Sequence, residues 1–237
     1  MLRKISSDKS SIKKFYRKAS IKSHNQGYQI LLDNRILKTP TGTPIILPNH
    51  LLALAVASEW DMQNVYIKLF TMPLNQLVTT ATDLDKSGIK PILIDRAMSF
   101  LQTDSICFRD SEDDIIMKPI LDHMKNKFGL ELPHCLGIEA PNFPSSIVNE
   151  VRNNFEKLDN FHIVALESAA SVSKSLSIAE SLLSGVIDIP KACYVARIEE
   201  LKQIETNGLV EGHHDLDQSY TEISLAAARN LVCLKSI

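Results

Sequence analysis

Two groups of side chains in this 237-residue chain have types and spacings that chemistry uses. The first is Glu211-Gly212-His213-His214-Asp215, two imidazoles and two carboxylates within five residues. Such donors bind transition metals. Neighbouring side chains in an extended or turn segment diverge, however, and no second ligand cluster lies nearby in sequence to close a site. The group reads as a surface recognition or structural element, and no metal site is predicted. The second group is Glu199, Glu200 and Gln203. On a helix, steps of three and four bring Gln203 onto one face with both glutamates, and two glutamates can serve as general acid and base. No nucleophile, cofactor loop or oxyanion donor accompanies them. That face is therefore either solvated or turned toward a partner.

The remaining catalytic patterns are missing from the sequence. Its eight glycines form neither GxGxxG nor GxxxxGK, so neither common phosphate cradle is encoded. There is no GxSxG elbow and no HExxH helix. Cys107, Cys135, Cys193 and Cys233 lie far apart with no CxxC pair, and read as reduced residues of an intracellular protein. No enzyme activity and no cofactor are predicted. With 26 basic against 28 acidic residues, the net charge of -2 gives no field to attract nucleic acid. Apolar runs such as Ile163 to Leu166 fall far short of a bilayer span, so no membrane insertion is expected. The composition, 44% hydrophobic and 23% charged, is that of a folding globular chain.

The elements that must position these groups divide at about residue 86. Residues 1–14, rich in Lys, Arg and Ser, read as a flexible segment that hints at a presequence, although Asp8 is acidic and the segment is short. Residues 15–86 begin with short β-branched or apolar runs, Tyr16 to Ile21, Tyr28 to Leu32, Arg35 to Lys38 and Pro44 to Leu47. Turn signals at His24-Asn25-Gln26-Gly27, Asp33-Asn34 and Thr41-Gly42-Thr43 separate them, as in an antiparallel meander. After Asn49, a helix cap, Leu51, Leu54, Ala55, Ser58, Met62 and Val65 recur at helical steps. Residues 87–237 hold helical stretches at Pro91 to Leu101, Asp113 to Phe128, Ser145 to Leu158, Phe161 to Leu183, Pro190 to Glu205 and Tyr220 to Leu234. Pro190 suits a first turn, Gly185 a stop, and Ser219-Tyr220-Thr221-Glu222 a capping box. The fold class is α+β: a small antiparallel β-rich domain with a packed helix, followed by an all-α helical bundle.

Trp60, the single tryptophan, shares a helix face with Ala53, Val56 and Ala57 and reads as a core anchor. Its neighbours Glu59, Asp61 and Gln63 are polar where an amphipathic helix faces solvent, and are candidates for touching a partner. Met72, Pro73 and Leu74 are read as structural anchors between the domains, with partner contact as the alternative.

The ordered strings Phe15-Tyr16, Leu32-Asp33-Asn34-Arg35, Lys38-Thr39-Pro40, Leu47-Pro48, Leu54-Ala55, Glu59-Trp60-Asp61-Met62-Gln63 and Met72-Pro73-Leu74 resemble the assembly chaperones of the ATP synthase alpha subunit. The similarity continues through Leu101-Gln102-Thr103-Asp104 with Arg109, Lys174-Ser175-Leu176, Glu200-Leu201-Lys202-Gln203, Gly208-Leu209-Val210-Glu211 and His214-Asp215, covering nearly the whole chain. Asn207 stands where the family usually has a tryptophan. The resemblance implies a mixed first domain, a helical second domain, and binding of the unassembled alpha subunit until the beta subunit displaces the chaperone. It also implies a partner surface at Glu199, Glu200, Gln203, Glu211, His214 and Asp215, with Glu59, Asp61 and Gln63 next, and a chain that is monomeric when free. A small-molecule enzyme using Glu199, Glu200 and His214, or a subunit retained in the synthase, are the alternatives. Because the family match begins at Phe15, a bacterial cytoplasm is expected, with the mitochondrial matrix as the alternative.

Overall fold

The computed structural model describes residues 12–135, 139–208 and 214–237. In chain order the elements are β1 (Ile12–Lys13), β2 (Ala19–His24), β3 (Gly27–Leu32), β4 (Arg35–Ile36), β5 (Ile46–Leu47), α1 (His50–Asp61), β6 (Tyr66–Ile67) and α2 (Pro73–Ser87). There follow α3 (Lys90–Ser99), α4 (Asp113–Phe128), α5 (Ser145–Glu156), α6 (Asn160–Ser173), α7 (Leu176–Leu183), α8 (Ile189–Ala196), α9 (Ile198–Asn207) and α10 (His214–Lys235). Short 3-10 turns lie at Leu69–Thr71 and Ser105–Phe108. The class is α+β, as the sequence implies.

In the larger sheet β3 pairs antiparallel with β2 along its whole length, from Ala19↔Leu32 to His24↔Gly27. Its other edge carries β4 at Leu31 and Leu32 and β5 at Tyr28 and Gln29. β2 begins three residues later than the predicted Tyr16 because the Asp33 carboxylate accepts the backbone N–H of Arg17 and of Lys18, taking them out of the ladder. Gly27 follows the two-residue turn at φ 138°, and a Cβ there would stand 2.1 Å from the Leu47 carbonyl oxygen. The glycine therefore lets β5 approach β3. A second ladder, β1 with β6, joins Ile12 to Ile67.

The predicted cap at Asn49 is present and serves two helices. Its side-chain oxygen accepts the Leu52 N–H at the start of α1, while its amide donates to the Leu234 and Lys235 carbonyls at the end of α10. α2 occupies the stretch read as a connector and hinge. Its buried residues Leu74, Val78, Ala81 and Leu84 keep helical steps, and Gly88 in the left-handed region (φ 65°) ends it. The expected boundary at residue 86 thus falls in the last turn of α2, and this helix packs on both α6 and α10. One cluster of buried side chains runs from Tyr16 to Val232.

Two predicted long helices are each broken in the structure. Lys174 adopts φ 53° and Ser175 caps the next helix by accepting the Ile178 N–H, so Phe161 to Leu183 becomes α6 and α7. Pro190 to Glu205 breaks at Arg197 into α8 and α9. The predicted cap at Ser219 lies inside α10, which begins at His214. α6 is the central helix, packed against α2, α3, α7 and α10. Its run Ile163, Val164, Ala165 and Leu166 is buried on every side, which is why it lacks a polar face.

All eight residues of α7 are buried, Glu180 among them. Its carboxylate accepts hydrogen bonds from Lys127 of α4 and from Ser184, and His123 of α4 lies 3.6 Å away. Burial pushes this carboxyl up, but the bonds from its neighbours and the charge of Lys127 outweigh it and hold the group below its ordinary value. A depressed carboxyl contributes stability that is complete above its unfolded value and is lost as pH falls through the folded one. Urea unfolding from pH 6 downward should show wild type losing more stability below about pH 4.5 than Glu180→Gln, whose offset from wild type should shrink with acidification. Parallel pH profiles would refute this role.

Candidate functional site

The string Glu59-Trp60-Asp61-Met62-Gln63 turns most of its polar groups inward. Trp60 is buried and its indole N–H donates to Asn75 Oδ1 at 2.9 Å. Glu59 accepts the backbone N–H of Leu74 and of Asn75 at 2.9 and 2.7 Å, placing a carboxylate on the first turn of α2, where the helix dipole favours an anion. Burial pushes the Glu59 carboxyl up, against those two bonds. Asp61 accepts the Ala19 N–H. Gln63 is buried: its amide reaches the Glu59 carbonyl and Thr71, and its oxygen accepts the Lys68 N–H. The Tyr16 hydroxyl donates to the Trp60 carbonyl at 2.6 Å, its pKa pushed up to about 12 by burial and the Asp61 charge. Met72 and Leu74 are buried and Pro73 half-buried. The expectation that Glu59, Asp61 and Gln63 face a partner therefore needs correction for two of them. The structure turns Glu59 and Gln63 inward, half-buried and buried and engaged in internal bonds, whereas Asp61 and Met62 are exposed, so of the three polar candidates only Asp61 still offers a face to a partner.

A second internal knot joins three other strings. Asp104 is buried and accepts from the Ile106 N–H, the Ser175 hydroxyl, and the Ser177 N–H and hydroxyl. It caps the 3-10 turn at Ser105 and ties it to the α6–α7 break. Arg109 is also inward, with Nε on Asp114 at 2.5 Å and its terminal nitrogens on the Ile106, Pro133 and Leu132 carbonyls.

The 3-10 turn and the end of α6 form walls of an open cleft of about 640 Å³, whose remaining lining comes from Met117 of α4, Arg197, α8, α9 and α10. Here the structure brings together Glu199, Glu200 and Gln203, as their spacing predicts. Glu199 and Gln203 are exposed. Glu200 is half-buried and takes a two-point contact from Arg197, 3.0 Å to Nε and 3.1 Å to the terminal nitrogen. Lys202, beside them in sequence, bonds Asp110 and Asp113 at 2.8 Å each; those bonds raise it above its ordinary value and fasten α9 to the start of α4. Sequence reasoning missed Arg197, Asp217 and Tyr220, which also line the cleft. The Leu216, Tyr220, Ile223 spacing was the available signal for the last.

Glu211 and His213 lie outside the described residues. His214 and Asp215 form the first two residues of α10. Among the described residues no cluster of His, Cys, Asp and Glu has metal-binding geometry, and no helix is long and apolar enough to cross a membrane.

A family model described as "ATP12 chaperone protein" matches residues 13–126. "Protein atp12, mitochondrial" of Schizosaccharomyces pombe is 27% identical over 236 residues, spanning 92% of this chain and 81% of that protein. Residues 13–126 thus match the ATP12 chaperone family, and the similarity to an ATP12 protein extends over nearly the whole chain. "Protein ATP12, mitochondrial" of Saccharomyces cerevisiae is 24% identical, covering 86% and 79%. The crystal structure of Atp12 from Paracoccus denitrificans shares the fold, with a TM-score of 0.83 at 23% identity over 94% of this chain and 98% of that one. ATP12 relatives are thus found in mitochondria and in a bacterium, and the matching family is described as one of chaperones.

Glu59→Ala should leave the first turn of α2 uncapped and cost about 1–2 kcal/mol, read as a lower urea midpoint. Glu199→Ala, at an exposed position, should stay within about 0.5 kcal/mol of wild type. Equal midpoints for the two variants would contradict the assignment of Glu59 to the scaffold.

Proposed function

We propose that this chain is an ATP12-family chaperone that binds the unassembled alpha subunit of the F-type ATP synthase head and shields its interface until the beta subunit displaces it. A ring subunit standing alone exposes apolar interfaces that aggregate unless covered reversibly. The native partner's larger interface can drive release by mass action, with no nucleotide consumed.

The observation that carries this reading is the open cleft walled by α9 and α10. It gathers exposed Glu199 and Gln203 with the Arg197–Glu200 pair, whereas Glu59, Trp60, Gln63, Asp104 and Arg109 of the other family strings are engaged in internal bonds. The cleft has polar recognition groups and no nucleophile or base in reacting geometry, which suits a protein surface better than a small substrate. The reading takes the free chaperone to be a monomer, and either a bacterial cytoplasm or a mitochondrial matrix would supply the client.

The test is co-purification of the tagged chain with alpha subunit made in the absence of beta. A one-to-one complex that beta subunit disperses is expected, and Glu199→Lys with Gln203→Lys should weaken it at least about tenfold, a change of about 1.4 kcal/mol, without shifting the melting temperature. Failure of wild-type chain to retain alpha subunit would overturn the reading.

A further inference from the structure

α10 carries a second apolar face that nothing among the described residues covers. Its core side is Thr221, Leu225, Ala228 and Val232, all buried. Leu216, Tyr220 and Ile223 are 72%, 64% and 52% exposed. At 100° per residue these three fall within about 60° of one another, about 140° from the centre of the core side. Ala227 continues the same stripe and is buried. The stripe is therefore covered where α10 enters the bundle and bare over the turns before it. Three large apolar groups in a row on one helix face are more than scattered surface residues.

Tyr220 belongs to both this stripe and the lining of the 640 Å³ cleft, so the two form one surface. The charges around it have one predominant sign. Asp217, Glu222 and Glu199 are exposed carboxylates, whereas Arg197 and Arg109 are buried and paired, leaving Lys174 as the exposed cation among the described lining residues. An occupant that matches this surface presents apolar side chains at helical spacing with Lys or Arg beside them.

We propose that the bare turns of α10 receive an apolar, basic segment of the unassembled alpha subunit along Leu216, Tyr220 and Ile223, with the cleft beside them taking its cationic flank. This rests on the alpha-subunit reading above and adds where and by what chemistry the client docks. Tyr220 supplies the anchor at the junction, and the carboxylates set the register of the client's charges.

The test compares alpha-subunit binding by wild type, by a Leu216→Ser, Tyr220→Ser, Ile223→Ser triple variant, and by Phe70→Ser. Phe70 is 76% exposed in a different apolar patch with Met62, Val65 and Leu69. The triple variant should bind at least about tenfold more weakly with an unchanged thermal melt, and Phe70→Ser should bind as wild type. A photo-crosslinker replacing Leu216 in the otherwise native chain should join to alpha subunit, and answers the question if the triple variant does not fold. If wild type binds alpha and both the triple variant and the crosslinker are indifferent, the docking assignment falls while the chaperone reading stands. If wild type itself does not bind, both fall. Sedimentation showing a wild-type dimer that the triple variant disperses would make a second copy the occupant and overturn the proposal.

Discussion

The Asp104 carboxylate is fully buried, and its ionised form is costly unless its lone pairs are met. Ile106, Ser175 and Ser177 supply four donors. Burial still pushes the carboxyl up, against those bonds. By satisfying this one group the fold brings the turn before α4 to the break between α6 and α7. Ser105, Phe108 and Arg109 then stand on one side of the cleft and Ser173 and Lys174 on another. α9 and α10 complete a surface whose position this contact determines.

The family strings thereby separate into two physical kinds. Glu59, Trp60, Asp61 and Gln63 hold α1 to the sheet and to α2, and Asp104, Arg109 and Ser175 hold the helical half. Each makes at least one internal hydrogen bond, so their presence marks the fold. The group at Glu199, Glu200 and Gln203 lines the open cleft, the face at which the proposed client would dock. A holdase needs both. In the proposed reading the scaffold stays rigid while the open face, with exposed Glu199 and Gln203 beside the Arg197–Glu200 pair, meets a partner that later leaves.

Much of this was readable in the chain. Asn49 as a cap, the Asp33-Asn34 turn and α4 at Asp113 to Phe128 follow from local chemistry alone, because side chain and backbone partner lie within a few residues. The helix breaks at Lys174 and Arg197 were not legible. The apolar period runs through both, and the break at Lys174 is fixed by Asp104, distant in sequence. α2 was hidden because its exposed face is threonine-rich, which suggests a turn, whereas Leu74, Val78, Ala81 and Leu84 carry the helical period. Glu59 and Gln63 look solvent-facing on a helical wheel. Only the return of the chain through Thr71 to Asn75 covers them. Asp217 joined the site through the tertiary placement of α10, which no local pattern encodes, whereas the spacing of Leu216, Tyr220 and Ile223 did mark Tyr220.

The most direct measurement is amide hydrogen exchange on the chain alone and bound to unassembled alpha subunit. The account predicts new protection in residues 198–207 and 216–223, with residues 59–63 already protected in the free chain and unchanged by the client. Protection gained at 59–63, with none on α9 or α10, would contradict it.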